Sequence, residues 1–321
     1  MGEGWRERWL RRAWTIPGYV AAWLVSLALA PFAALGVWLG GGVAARLLLF
    51  AAVYLSYEMI GLAAAGLLFV AGRARDRQAH AALQRWWACS LFRAAARIFR
   101  LELEVAGDEA AEPGPVVVLI RHASLLDTLL PEVVLADRHR LQLRYVLKRE
   151  LLADPCLDVV GQRIQCAFVR RGSGETEREL AAIESLARGL GPREGALIYP
   201  EGTRFTPDKL ARALERVQAL APERSARVSR LRHVLPVRSA GPLALLAAAA
   251  PADALWFAHT GLEGLATLRD VLRGGIVGRR IRVALWRTPR SVIPAADALR
   301  WLDEQWARVD DWVDAARAEA G

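Results

Sequence analysis

His122 and Asp127 are the residues whose types and spacing most directly suggest chemistry. They lie in RHASLLD (121–127), directly after the apolar run Val116–Ile120. On one regular α-helix their side chains would point about 140° apart, given 3.6 residues per turn. Across a strand–loop–helix junction, with Ser124 as the N-cap, the carboxylate can reach the imidazole. It would then fix the ring tautomer and make the other ring nitrogen a general base.

The same stretch also fits a purely structural role. Ser124 followed three residues later by an acid is the pattern of a capping box, in which side chains and backbone amides bond reciprocally at a helix start. His122 would then be a surface histidine, and both alternatives remain open. A serine hydrolase is not favoured, because there is no GxSxG elbow and an N-cap serine is already engaged by backbone donors.

Short apolar runs alternate with helical patterns from residue 101 onward. This alternation predicts an α/β domain with a largely parallel sheet flanked by helices. Helices are expected at 176–188 and 207–221, and a closing helix at 295–318 has its apolar residues on one face. The predicted strands are 101–105, 116–120, 144–148, 166–170, 195–200, 233–237, 253–259 and 281–286.

Polar residues follow several of these strands. Ligands in open α/β sheets bind beyond the carboxyl ends of the strands. Each cation taken alone fits a solvated strand end better, but cations and glycine-rich turns placed together around one histidine–carboxylate pair are what a phosphorylated substrate requires. The residues expected to gather around His122 and Asp127 are Lys148, Arg149, Arg170, Arg171, Glu201, Gly202, Thr203 and Arg204.

The N-terminal quarter of the chain is its most apolar part. No charged residue occurs between 16 and 45, and a second apolar stretch, 47–72, is interrupted only by Glu58. A membrane span needs about 20 apolar residues, so residues 1–75 are predicted to form an N-terminal membrane-embedded helical hairpin. Pro31 and the glycines at 40–42 would kink or break it, so a full span and a one-leaflet hairpin both remain possible. Buried core helices are the alternative.

Charge and cysteine content indicate the location of the protein and the kind of partner that it binds. Arginines flank the hairpin on both sides, which by the positive-inside rule predicts a cell-membrane protein with its following domain on the cytoplasmic face. The net charge of +9 suits anionic lipid, nucleic acid or a phosphorylated substrate, and the apolar N-terminus favours lipid over nucleic acid. Three cysteines without a CxxC pair fit a reducing compartment and argue against zinc.

The remaining organisation follows from helical spacing. Residues 76–100 have apolar positions at helical intervals and are predicted to form a linking amphipathic helix. Residues 101–321 would then form the α/β domain.

Four motifs in this order resemble those of the glycerolipid acyltransferases typified by 1-acylglycerol-3-phosphate acyltransferase. RHASLLD is similar to the family's NHxSxxD block, with Arg121 where Asn is usual. FVRR (168–171) is similar to a second block that ends in a phosphate-contacting arginine. YPEGTRF (199–205) is similar to FPEGTRS, and LPV (235–237) to a fourth, proline-containing block. A preceding hydrophobic hairpin is also typical of the family.

The resemblance implies acyl transfer from acyl-CoA or acyl carrier protein to the free hydroxyl of lysophosphatidic acid, giving phosphatidic acid, with neither metal nor bound cofactor. His122 would remove the acceptor proton and Asp127 would orient the ring. Arg204 with Arg170 or Arg171 would clamp the acceptor phosphate. Lys148, Glu201, Gly202 and Thr203 would complete the substrate site, and the partners would be the bilayer, a lysophospholipid and the acyl donor, not nucleic acid. Another acceptor, or a non-catalytic lipid-binding protein of the same fold, are the alternatives.

Overall fold

The computed structural model describes residues 4–169, 176–273 and 275–319. Two long helices come first, α1 Trp5–Trp38 and α2 Val43–Val70. The chain then alternates between strands and shorter helices, as the sequence predicts. The later helices are α3 Arg77–Phe99, α4 Pro155–Val159, α5 Thr176–Ala187, α6 Pro207–Leu220, α7 Pro222–Val228, α8 Ala240–Ala248, α9 Leu268–Leu272 and α10 Ala298–Ala318.

The described strands form one mixed, mostly parallel sheet in the order β1-β7-β6-β2-β5-β3-β4. Every neighbouring pair is parallel except β6 and β7. The predicted α/β class, with helices flanking a largely parallel sheet, is therefore confirmed. The strands are β1 Glu102–Ala106, β2 Val116–Ile120, β3 Gln142–Lys148, β4 Cys166–Val169, β5 Glu194–Ile198, β6 Asp253–Thr260 and β7 Arg280–Thr288.

One predicted strand is wrong. Residues 233–237 form an irregular segment beside the sheet and pair with no strand. Their amides are engaged by side chains instead: Val234 donates to Asp310, and Leu235 donates to Glu201. Pro236 has no N–H to contribute to a ladder. An apolar sequence therefore stays buried here without strand pairing.

The central strand β2 is buried along its whole length. Val116, Val118 and Ile120 join the core under α3, and Val117 and Leu119 join the core on the other face, with Trp306 of α10. Because both faces are covered, β2 consists of continuous β-branched and apolar residues instead of an alternating pattern. The segment after Ile120 starts at the centre of the sheet.

The two N-terminal helices are long and apolar enough to cross a membrane, and most of the apolar stretch of each is unburied. At about 1.5 Å per residue they are roughly 50 and 40 Å long, more than the hydrocarbon core of about 30 Å. Pro31 lies inside α1 without ending it, and the break falls at 39–42, where Gly40 has a left-handed φ of 82°. Pro31 therefore does not break the helix, whereas the glycines do form the turn between α1 and α2.

The hairpin packs on the rest of the chain through α3, α4 and α9. The buried carboxylate of Asp158 on α4 accepts hydrogen bonds from Arg11 at 2.7 Å and from Arg12 at 2.9 Å. The predicted linking helix is α3, capped by Asp76, whose carboxylate accepts from the amide of Ala79. The predicted domain boundaries at 75 and 100 stay predictions.

Candidate active site

His122 and Asp127 meet at the carboxyl end of β2. The Nδ1 atom of His122 lies 2.9 Å from Oδ1 of Asp127. The second oxygen, Oδ2, accepts hydrogen bonds from the amides of Ala123 and Ser124. Asp127 is fully buried, and the His122 side chain keeps 12% of its surface exposed. Burial alone would raise the pKa of the Asp127 carboxyl, but the charge and hydrogen bond of His122, together with His259, lower it below its ordinary value.

The capping box that competed with this dyad in the sequence is present as well. Ser124 Oγ accepts from the amides of Leu126 and Asp127, while Asp127 accepts from the amide of Ser124. One carboxylate therefore serves both the turn and the imidazole. The predicted α-helix start is wrong, however, because the turn is a 3₁₀ helix, Leu126–Leu129. Pro131 has no N–H to donate to the carbonyl of Asp127, so the α-helical bond is absent at this point.

Glu201 ties three segments of the site together. Its Oε1 accepts from the amide of His122 at 2.7 Å, and its Oε2 accepts from the amide of Leu235 at 2.9 Å. Burial raises the pKa of the Glu201 carboxyl to about 8, although the two amides and the charge of Arg121 act in the opposite direction. Because both oxygens are engaged by backbone, the geometry favours a positioning role for Glu201 over the predicted contact with substrate.

The loop after β5 bends at Gly202. Gly202 has a φ of 73°, in the left-handed region where glycine carries no steric cost, and its amide donates to the carbonyl of Tyr199. Three residues later, the amide of Phe205 donates to the carbonyl of His122 at 2.7 Å. Within the described ranges, the amides of Thr203 and Arg204 have no acceptor. They are the N–H groups of this loop that remain available to an incoming ligand.

His122 opens onto a cavity of about 230 Å³ with mostly apolar walls. Lys148 at the end of β3 and Arg204 both line it, as their places after strands predict. The Arg204 side chain forms no hydrogen bond or ion pair with any described residue, and so does not pair with Glu201. The apolar wall comes from Trp87 and Ala88 of α3 and from Leu125, Leu129, Val146, Leu147, Leu151 and Leu157.

Two predicted site residues lie outside the described part of the chain. Arg170 and Arg171 follow β4, whose last described residue is Val169. Their proposed contact with phosphate stays a prediction.

Arg121 and His259 are site residues whose roles the sequence did not reveal. The buried Arg121 guanidinium bonds to Glu263 Oε1 at 2.5 Å, to the carbonyl of His259 and twice to the carbonyl of His233. His259 is also fully buried, and its Nε2 lies 2.9 Å from the carbonyl oxygen of Arg121. A charged residue directly after a buried central strand was the signal for Arg121, but its partners lie more than a hundred residues away.

Comparison with known proteins points to the same chemistry. Residues 102–229 match the family described as Acyltransferase, and this stretch contains the dyad, the β5 loop and most of the sheet. Comparison with curated proteins gives no match. The crystal structure of the 1-acyl-sn-glycerophosphate (LPA) acyltransferase PlsC from Thermotoga maritima is similar with a TM-score of 0.45 and 15% identity, covering 82% of this chain and 96% of that one. The family match supports the resemblance drawn from the motifs: residues 102–229, which contain the first three of them, are similar to the Acyltransferase family.

Proposed function

We propose that the protein is a membrane-bound acyltransferase that moves a fatty acyl group from an acyl thioester to the free hydroxyl of lysophosphatidic acid, giving phosphatidic acid. The observation that carries this proposal is the His122–Asp127 pair at the mouth of an apolar cavity that Arg204 also lines. The acyl donor, acyl-CoA or acyl carrier protein, is a co-substrate, and the reaction needs no metal.

The dyad geometry supports general-base catalysis. Since the Nδ1 of His122 faces Asp127 at 2.9 Å, Nε2 is the nitrogen left to take the proton of the acceptor hydroxyl. The hydroxyl oxygen forms a bond to the thioester carbonyl carbon, and the carbonyl oxygen takes the negative charge. Collapse of that intermediate expels the thiolate, which recovers the proton from the imidazolium. The free amides of Thr203 and Arg204 are the candidates for stabilising the oxyanion.

The walls of the cavity support the assignment of a lipid substrate. Apolar side chains from α3, β3 and the turn after β2 can cover a hydrocarbon chain, and His122, Lys148 and Arg204 contribute a base and two cations to the same lining. A guanidinium binds phosphate through two parallel hydrogen bonds, and Arg204 uses none of its donors within the described chain. We therefore assign Arg204 to the acceptor phosphate, beside Arg170 or Arg171.

The location follows from the hairpin. The arginines that precede and follow the apolar part of the hairpin, and the length of its two helices, support insertion in the cell membrane, with the acyltransferase domain on the cytoplasmic face.

Thiol release by the purified protein tests the activity. Wild type is assayed with acyl-CoA and acyl carrier protein as donors, each crossed with lysophosphatidic acid, glycerol 3-phosphate and another lysophospholipid. We expect turnover to be highest with lysophosphatidic acid and His122→Ala to abolish it, while the variant stays in the membrane fraction. His139→Ala is the matched control, because that histidine pairs with Asp108 and Glu112 away from the cavity.

Two outcomes separate the alternatives. Equal turnover by wild type and His122→Ala would remove the catalytic assignment. Binding of lysophospholipid by wild type without any thiol release would instead favour a non-catalytic lipid-binding protein.

A further inference from the structure

A second cavity, of about 520 Å³, lies between α6 and the irregular segment 235–239. We call it the α6 groove. Its floor is apolar, with Ala213, Val217, Leu235, Pro236 and Val237. Its lining includes four cations that form no ion pair with the described residues: Lys209, Arg212, Arg216 and Arg238.

The α6 groove carries an excess of positive charge. Within the described ranges, Arg216 and Arg238 have no side-chain partner, and Arg212 donates only to the backbone carbonyl of Asp208. Arg224 also lines the groove, but its guanidinium is committed to Asp303 and to the carbonyl of Val237. Burial lowers the pKa of Lys209, and the charges of Arg204 and Arg212 lower it further. Because the cations outnumber Glu201, the acid at the inner end of the groove, the groove is suited to an anionic ligand.

The α6 groove adjoins the active site. Glu201 and Thr203 form its inner end, and Glu201 holds the amide of His122 through one oxygen and the amide of Leu235 through the other. Lys209 donates to Thr203 Oγ1 and to the carbonyl of Arg204, whose side chain lines the apolar cavity. The two cavities therefore meet at the loop 201–204, on either side of the reacting centre.

The position of the α6 groove favours a water-soluble ligand. The apolar residues of α6 pack against the core that lies on the α8 and α10 face of the sheet, whereas α2 packs against α3 and α9 on the opposite face. A lipid acceptor arrives from the hairpin side. The water-soluble part of an acyl donor would have direct access to the opposite face of the sheet, where the α6 groove lies.

From this arrangement we propose that the α6 groove binds the nucleotide end of a coenzyme A thioester, with its phosphates on Arg212, Arg216 and Arg238 and its base on the apolar floor. The inference rests on the proposed function and makes coenzyme A the donor. The acyl chain would lie in the apolar cavity, and the pantetheine arm would pass over the loop 201–204 so that the thioester reaches His122. The groove volume falls within the range of about 300–1,000 Å³ that is typical for small-molecule sites. Charge-assisted bonds from arginine to phosphate supply the affinity.

Binding of free coenzyme A to the purified protein tests the proposal independently of turnover. The variant is Arg212→Ala/Arg216→Ala, on two exposed positions of α6 where alanine preserves the helix. We expect its Kd for coenzyme A to rise by at least about tenfold. Arg308→Ala, on the exposed face of α10 and outside both cavities, is the matched control and is expected to bind as wild type does. A double variant with the Kd of wild type would overturn the proposal.

Kinetics with a truncated donor separate the nucleotide from the rest of the substrate. The same acyl group is supplied on coenzyme A and on phosphopantetheine, which lacks the nucleotide. We expect the double variant to raise the KM for acyl-CoA by about tenfold relative to the KM for the truncated donor. An equal rise for both donors, a rise confined to the lysophospholipid, or a rise confined to acyl carrier protein would each contradict a nucleotide site. If wild type releases no thiol from any donor, the proposed function fails. The binding assay still shows whether the α6 groove binds coenzyme A.

Discussion

Asp127 contacts a second buried histidine, His259, through the oxygen that does not contact His122. The distance between Asp127 Oδ2 and His259 Nε2 is 3.5 Å, and the same Nε2 lies 2.9 Å from the carbonyl oxygen of Arg121. Since that carbonyl can only accept, Nε2 of His259 carries a hydrogen. The Asp127 carboxylate is thus held by two backbone amides and flanked by two imidazoles.

His259 is expected to position Asp127. In His259→Leu the buried carbonyl of Arg121 loses its donor, which costs about 1–3 kcal/mol of stability. A less firmly held Asp127 should lower kcat by about five- to tenfold without changing either KM. His259→Gln can present an N–H at the same place and should recover most of both losses. Melting temperature and kcat of the two variants are the measurements, and a leucine variant that matches wild type in both would contradict the role.

Asp127→Asn should act through the tautomer of His122. The side-chain oxygen of Asn is required by the amides of Ala123 and Ser124, so its NH₂ group faces Nδ1 of His122. Nδ1 must then accept, Nε2 must carry the proton, and the base is lost. We expect kcat to fall by about 10²- to 10⁴-fold, as for other orienting carboxylates. A loss of less than tenfold, with the melting temperature preserved, would show that the carboxylate does not orient the base.

Arg204→Ala should weaken binding of the acceptor more than binding of the donor. Its guanidinium lines the cavity beside His122 and is not engaged by the described residues. Loss of a bidentate contact with phosphate is expected to raise the acceptor KM by about tenfold or more. Arg204→Lys keeps the positive charge but cannot form the two parallel hydrogen bonds of a guanidinium, so its acceptor KM should lie between those of wild type and Arg204→Ala. Initial rates with each substrate varied in turn give the answer, and an unchanged acceptor KM would exclude the clamp.

Arg121→Asn installs the residue usual at this position in the resembled family, and we expect it to destabilise this chain. Glu263 would keep its buried charge without the guanidinium that now lies 2.5 Å away. Breaking one partner of such a pair costs about 3–5 kcal/mol. Arg121→Asn/Glu263→Gln removes the stranded charge and should recover part of the loss. Melting temperatures in detergent decide this, and a double variant no more stable than the single one would refute the coupling.

The same ion pair predicts a pH dependence. Burial alone would raise the pKa of Glu263, but the charge and hydrogen bond of Arg121 outweigh it and lower that pKa to about 2. The ordinary pKa of a glutamate is about 4.3, so the stabilisation is fully present above that value and is lost as the pH falls toward 2. The gap in melting temperature between wild type and Glu263→Gln should therefore narrow between pH 7 and pH 3. A gap that stays constant over this range would contradict the lowered pKa.

The dyad could be found in the sequence because its geometry is local. His122, Ser124 and Asp127 lie within six residues, and the strand before them has the continuous apolar pattern of a central strand. The strands adjacent to β2 could be located for the same reason. What the pattern could not distinguish was an α-helical from a 3₁₀ start at Leu126, since that depends on the missing N–H of Pro131.

The roles of Glu201, Arg121 and residues 233–237 could not be predicted because they depend on contacts between distant segments. Glu201 was expected to contribute to the substrate site, yet its two oxygens accept hydrogen bonds from the amides of His122 and Leu235. The segment 233–237 has the composition of a strand, but Asp310 and Glu201 satisfy its amides before a strand can. An apolar composition indicates that a segment is buried. Whether it forms a strand depends on whether its backbone amides bond to a neighbouring strand or to side chains.

The buried carboxylate of Asp158 ties the N-terminal hairpin to the rest of the fold. Arg11 and Arg12, at the start of the first helix, supply the positive charges that permit an ionised carboxylate on α4 to remain away from water. Cutting the chain at residue 75 to obtain a soluble fragment would strand that negative charge, and the fragment should unfold more readily than a full-length protein held in detergent. In the proposed membrane-bound acyltransferase, the same two arginines would hold the site close to the bilayer surface, so that a lipid could be acylated without leaving the leaflet completely.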